Sequence, residues 1–330
     1  MFLVTVRRRE LILSAVAFAL VVITAITVVC LPRTRRLALG VRSGVSLAGV
    51  GVGGLYPDEL RRVVLNLASS IEREPRDAVF FSETGEIIGD EHGVVVDVDN
   101  TIAMVMAAHR GVAVDPLLRA TSPKVTKSML KPVYKVHSTE PSVALVFNVA
   151  WGEEWIPSLL SALKQAGAKS TFFITGTWAK KFPDLLGSVL ADGHEIANHG
   201  WDHPHLFGLS DSSIERLIHE NEVLIRQLTG VRTTLFAPPY GEVDQRITSI
   251  AARLGYTTVM WTVDTIDWKH PLPGVIVERA LAKLAAGNIV LMHPTEPTAT
   301  ALPTILSRLR ENGYTAVTVS RLFESANEEQ

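Results

Sequence analysis

The feature that most constrains this chain is an alternation of short apolar runs with segments of helical period, sustained from residue 142 onward. Strands are expected at 143–147, 170–174, 195–197, 233–236, 257–261, 289–292 and 316–319. Helices are expected at 155–166, 178–190, 213–228, 245–254, 273–285 and 303–311. Parallel strands need a long crossover between them, and a helix supplies it, so strict alternation predicts an α/β fold with a helix-covered parallel sheet. The repeat fits a distorted or incomplete (β/α) barrel, with an open doubly wound sheet as the alternative. In either fold the C-terminal strand ends form one rim, where sites are built. Asn148, His199, Asp264 and His293 fall at or just beyond predicted strand ends, and so does Ala237-Pro238-Pro239-Tyr240-Gly241. Five separate segments converging on one rim mark a site more strongly than any single motif.

His199-Gly200-Trp201-Asp202-His203 holds two histidines four residues apart, a spacing that lets both imidazoles reach one ion. Such pairs also arise by chance, but here Gly193-His194-Glu195-Ile196-Ala197-Asn198 leads into the pair from a strand. His205, two residues on, reads as an ordinary loop histidine. Phe147-Asn148-Val149-Ala150-Trp151-Gly152 ends the first strand, Asp264-Thr265-Ile266-Asp267-Trp268 follows the fifth, and Leu291-Met292-His293 ends the sixth.

In this order these motifs resemble those of the polysaccharide deacetylases, the NodB-homology or carbohydrate esterase family 4 group, over about residues 142–325. The resemblance implies a distorted (β/α) barrel of the NodB-homology type. It implies a hydrolase acting on carbon–nitrogen bonds other than peptide bonds, which removes N-acetyl groups from a cell-wall glycan, peptidoglycan or chitin-like. The implied cofactor is a divalent metal, zinc first, on His199 and His203. His293 would be the general acid and Asp264 the carboxylate that orients it. Tyr240 would offer its backbone N–H to an oxyanion, and Pro239, Trp268 and Leu291 would line the sugar and acetyl pocket. The form of the first motif resembles a sporulation-associated subgroup.

Three positions depart from the family pattern. Asn148 stands where the family has its general base Asp, and an amide has no useful basicity near neutral pH. Val149 stands where a third metal ligand is expected and cannot ligate. Ala237 replaces the arginine that pairs with the base, and with a neutral Asn148 a buried guanidinium would lack its partner. The changes read as one coupled loss. Two functions stay open: a slow or inactive deacetylase, and a retired catalyst that binds glycan or a partner protein of the cell or spore envelope.

Upstream, Arg7-Arg8-Arg9 precede an apolar run at 11–31, long enough for a membrane span of about 20 residues and longer than a signal-peptide core. Residues 1–36 are therefore expected to be a signal anchor, single-pass in the cell membrane, with the remainder extracytoplasmic; Arg33, Arg35 and Arg36 oppose that orientation. Cys30, the one cysteine, follows Val29, where a lipoprotein site would have a small residue. Residues 37–120 mix extended and helical patterns and resemble a small α+β module associated with peptidoglycan binding, a spacer without ligand being the alternative; 121–141 reads as a linker into the domain at 142–330. A net charge of −2 with no basic stripe excludes nucleic acid as a partner. The partners expected are cell-wall polysaccharide and, through the anchor, the membrane.

Overall fold

The computed structural model describes residues 8–327, with only the backbone described at 8–14, 28–34 and 327. Helix α1 (Arg8–Leu39) opens the chain. The expected span at 11–31 falls partly on residues whose side chains lie outside those described. Among the described residues no helix is long and apolar enough to cross a membrane.

The chain divides into two units, one comprising residues up to Arg76 with Glu91–Pro123, the other Asp77–Asp90 with Lys124 onward. The smaller unit holds β1 (Ser46–Leu47), β2 (Val50–Gly51), α2 (Pro57–Ile71), β5 (Gly93–Val96), α3 (Val98–Ala107), β6 (Ala113–Val114) and β7 (Leu118–Thr121). Strand β1 pairs antiparallel with β2 and parallel with β6, and β5 pairs antiparallel with β7. Leu60, Val64 and Ala68 form one stripe on α2, because residues three or four apart share a helix face. They pack with Leu47, Val52 and Val105. Pro57 starts α2, where its missing N–H would be unpaired anyway, and Asp58 and Glu59 favour the positive end of the helix dipole.

The hairpin of β3 (Val79–Phe81) and β4 (Glu86–Ile88) belongs to the larger unit, although sequence reading assigned it to the small domain. Its segment is fixed there by backbone bonds from Lys124 and Val125 to the Asp77 carboxylate and from Ala78 to the Val125 carbonyl.

The larger unit carries β8 (Ser142–Val149), β9 (Thr171–Ile174), β10 (Glu195–Asn198), β11 (Leu235–Phe236), β12 (Thr257–Thr258), β13 (Val263–Asp264), β14 (Ile289–Met292) and β15 (Thr315–Val317). All are parallel, in the order β12–β11–β10–β9–β8–β14–β13. Strand β15 pairs with Ser142–Ala144 at the start of β8, and β9 with Val146–Val149 at its end. The two edge strands, β12 and β13, follow one another in sequence, so the sheet curls into an incomplete barrel. Residues 133–136, expected to be linker, fill the seam: Val133 bonds to Thr258 and Met260, and Val136 to Gly287.

Helices α4 (Ile156–Ala166), α5 (Gly176–Lys181), α6 (Pro183–Ala191), α7 (Asp211–Thr229), α8 (Gln245–Arg253), α9 (Pro273–Leu281), α10 (Glu296–Glu311) and α11 (Val319–Asn327) complete the unit. The single helix expected at 178–190 is two, because Pro183 forces Phe182 out of the helical region, to φ −128° and ψ 55°. Helix α10 begins before Pro303, not at it: Thr295 caps the N-terminus by accepting from the Thr298 N–H, and Pro297 lies in the first turn.

Alternation along β8 builds two apolar layers. Val143, Leu145, Phe147 and Val149 face the helices, with Ile156, Leu159, Phe172 and Leu302. Ala144 and Val146 face the barrel interior, with Phe173, Ala197, Leu235 and Leu291. Each large side chain fully buried this way contributes about 1.5–3 kcal/mol.

Candidate functional site

The strand register sets the site. Val149, Ile174, Asn198 and Phe236 lie side by side across β8, β9, β10 and β11, and Phe147 lies beside Met292 of β14. Asn148, His199, Ala237 and His293 therefore sit at the C-terminal edge of the sheet, with Asn148 and Val149 still inside a strand that runs two residues past its expected end.

His199 is buried, and its Nδ1–H donates to the Ala237 carbonyl at 2.7 Å. That bond fixes the tautomer and leaves Nε2 as a lone pair, which is buried without a partner. Burial, then the charges of His203 and His293, push the His199 imidazolium down to about 3, against the opposing bond to Ala237. The His203 ring stands edge-on to it, centroids 5.0 Å apart, and burial holds His203 below the usual histidine range, helped by His293. The turn between them is built in. Asn198 Oδ1 accepts from the Gly200 and Asn221 amides, while its Nδ2 donates to the Ile218 carbonyl. Gly200 has φ +81°, and a Cβ there would lie 2.3 Å from Leu217 Cδ2.

On the far side of the rim, His293 Nδ1–H donates to a carboxylate oxygen at 2.8 Å. The carboxylate is that of Asp267, not of Asp264 as expected. Asp264 instead accepts the Ile266 N–H at 2.8 Å and closes a tight turn. Ile266 takes a left-handed conformation, φ 52°, which carries Asp267 inward. Asp267 is fully buried, and its second oxygen accepts from the His293 N–H at 2.6 Å and the Thr298 hydroxyl at 2.6 Å. With Nδ1 committed, Nε2 of His293 is the atom free to exchange a proton. The Trp151 ring lies parallel to the His293 ring, centroids 6.0 Å apart. Its loop is pressed home at Gly152, where a Cβ would stand 2.0 Å from the Pro294 carbonyl oxygen.

The remaining expected residues divide. Tyr240 is exposed at the rim in a left-handed conformation, φ 56°, and Trp268 is exposed; Pro239 and Leu291 are buried, Leu291 within the interior layer. Asn148 is buried on the interior side of β8 with Oδ1 unpartnered, Ala237 lies in the interior apolar layer, and Val149 faces the helices. Sequence reasoning missed Asp267 and Trp151. Asp267 and Trp151 both sat inside quoted motifs, but strand periodicity does not say which side chain of an irregular turn points inward.

A metal of the implied kind does not fit this donor set. His199 Nε2 is an orphaned buried lone pair and would accept one, and His203 stands beside it. The third place belongs to Val149, and among the described residues no group of three His, Cys, Asp or Glu could hold an ion.

The family model for polysaccharide deacetylase matches residues 135–259. The YlxY protein of Bacillus subtilis (strain 168) is 34% identical over 81% of this chain and 84% of its own length. Peptidoglycan-N-acetylglucosamine deacetylase PgdA of Listeria monocytogenes is 34% identical over 56% of this chain, which spans only 39% of that relative. Among solved structures, a CE4 family pseudoenzyme from Bacillus anthracis matches with TM-score 0.59 at 31% identity, covering 81% of this chain and 95% of that one. A mutant of that pseudoenzyme with restored enzymatic activity matches at the same TM-score.

Proposed function

Because the chain belongs to the polysaccharide deacetylase family, we propose that it binds a cell-wall glycan in a deacetylase-type groove, with N-acetyl hydrolysis slow or absent. The observation that carries this reading is the split within the site. The acid side is complete: Asp267 accepts three hydrogen bonds, two from His293 and one from Thr298. The base side carries no ionisable group: Asn148, Val149 and Ala237.

The chemistry follows from that split. Hydrolysis of an amide needs a proton taken from water and a proton given to the departing amine. His293, polarised by Asp267, is placed to give one. Asn148 cannot take one, since its amide offers only weak hydrogen bonds. Losing a positioned base commonly costs about 10²–10⁴-fold in rate. Binding is less affected. Exposed Trp151 and Trp268 give flat apolar faces for sugar rings, and Asn148 gives a buried polar group for an N-acetyl or hydroxyl substituent. The name of the Listeria relative supports peptidoglycan as the polymer.

Titration calorimetry of the full chain with β-1,4-linked N-acetylglucosamine oligomers tests the reading. Saturable binding that persists in EDTA is expected. Absence of binding with or without zinc would overturn it.

An extracytoplasmic position belongs to the same proposal. It is supported by the apolar run at 11–31 and by the exposure of Phe18, Val21 and Ile23 on α1. The form Phe147-Asn148-Val149-Ala150-Trp151-Gly152 supports placing the chain with the sporulation-associated group. A phosphatase fused after Gln330, active only outside the cytoplasm, tests the location.

A further inference from the structure

Beside the pocket stands a histidine that the reading above does not use. The His205 imidazole lies flat on the Tyr240 ring, centroids 4.0 Å apart and planes 12° from parallel. Its Nδ1–H donates to Glu242 Oε1 at 2.7 Å. The other Glu242 oxygen accepts the backbone N–H groups of Leu206 at 2.6 Å and Phe207 at 3.1 Å. The Glu242 side chain is 15% exposed and that of His205 69%. Although burial opposes it, these bonds from His205, Phe207 and Leu206 hold the Glu242 carboxyl below its usual range.

An exposed loop side chain ordinarily keeps its rotamer freedom and surrenders it on binding. His205 has surrendered it already, held on one face by Tyr240 and at one edge by Glu242. Tyr240 in turn sits in a left-handed backbone conformation, which non-glycine residues adopt at a cost and which clusters at ligand sites. With one face on Tyr240, the His205 side chain is still 69% exposed, so ring surface is left for a ligand. In the neutral ring Nε2 remains free to accept a hydrogen bond. A flat apolar face with one polar edge complements a pyranose, whose C–H face packs on a ring while its hydroxyls bond at the edge.

We propose that His205, backed by Tyr240 and anchored by Glu242, is a stacking subsite for a neighbouring sugar of the glycan, so that the groove takes an oligosaccharide and not a single sugar. This rests on the glycan-binding reading given above. The test is the dependence of affinity on oligomer length, from dimer to hexamer of β-1,4-linked N-acetylglucosamine, in the full chain. Wild type is expected to tighten by about threefold to tenfold once the oligomer reaches the subsite, the worth of one stacked ring. His205→Ala loses that increment while dimer affinity and the denaturation midpoint stay unchanged. His205→Tyr restores the increment, since it replaces the stacked face. Glu242→Ala weakens it by freeing the ring. An increment undiminished in His205→Ala would overturn the subsite and leave glycan binding intact. No binding of any oligomer by wild type would overturn both.

Discussion

At residue scale the site turns on two neighbouring side chains that face opposite ways. Asn148 looks into the barrel, and Val149 packs among Phe147, Ile156 and Phe172 on the helix side. Restoring a carboxylate is thus a different act at each position. Val149→Asp puts an ionisable group into a dry layer and is expected to lower stability by about 3 kcal/mol or more, read from a urea midpoint. Asn148→Asp exchanges one buried polar group for another and is expected to cost less. Equal losses would contradict the assignment of faces. Asn148, Val149 and Ala237 were legible as departures in the sequence, because their neighbours Phe147 and Pro238-Pro239-Tyr240-Gly241 fixed the alignment. Which face each occupies became legible only with the full length of β8, since a strand cut at residue 147 leaves both residues in a loop.

At the scale of elements, the irregular turn after β13 decides which carboxylate serves His293. The sequence offered two aspartates three residues apart, and nothing in their spacing ranks them. The ranking comes from the turn: Asp264 closes it and Asp267 emerges inward. Asp267→Asn removes a charged acceptor from three bonds, and each such bond is worth about 1.5–3 kcal/mol. The variant is expected to lower the unfolding free energy by several kcal/mol and to free the His293 tautomer, seen as a change in its imidazole nitrogen resonances. Asp264→Asn should leave those resonances in place; if it moved them and Asp267→Asn did not, the assignment would fall. Other elements were legible where local chemistry was strong, as in α7, capped by Ser210 and ended at Gly230. The pairing of 133–136 across the seam was not, because its partners at 258–260 and 287 are more than a hundred residues away.

At the scale of the whole molecule, two buried histidines link stability to pH. His194 accepts a hydrogen bond at Nδ1 from the Ser170 N–H, so the fold holds it neutral; burial, then the charge of Lys169, push it down to about 4, against Asp192. His199 is pushed lower still. In the unfolded chain both bind protons below about 6.5. Their contribution is therefore fully present above pH 6.5 and is lost as pH falls toward 4 for His194 and toward 3 for His199, at up to about 1.4 kcal/mol per pH unit for each proton. Urea midpoints are expected to fall between pH 7 and 5, and less steeply in His194→Gln; a flat profile would contradict this. The helix-covered parallel sheet and the rim on which the site stands were legible from the alternation alone, because a parallel sheet leaves few ways to connect its strands; the alternation left barrel and open sheet both standing. The assignment of 77–90 to the barrel unit was not, since the hairpin carries no local mark of its distant partners Val125 and Ala252. The central claim is that this groove holds a glycan it does not efficiently hydrolyse. The most direct test is acetate release from N-acetylglucosamine oligomers by the full chain with zinc in excess. The account predicts release at or near the blank, at least about 10²-fold below an ordinary enzyme turnover of roughly 10 s⁻¹. Release near that turnover would contradict it and make Asn148, Val149 and Ala237 parts of a working catalyst.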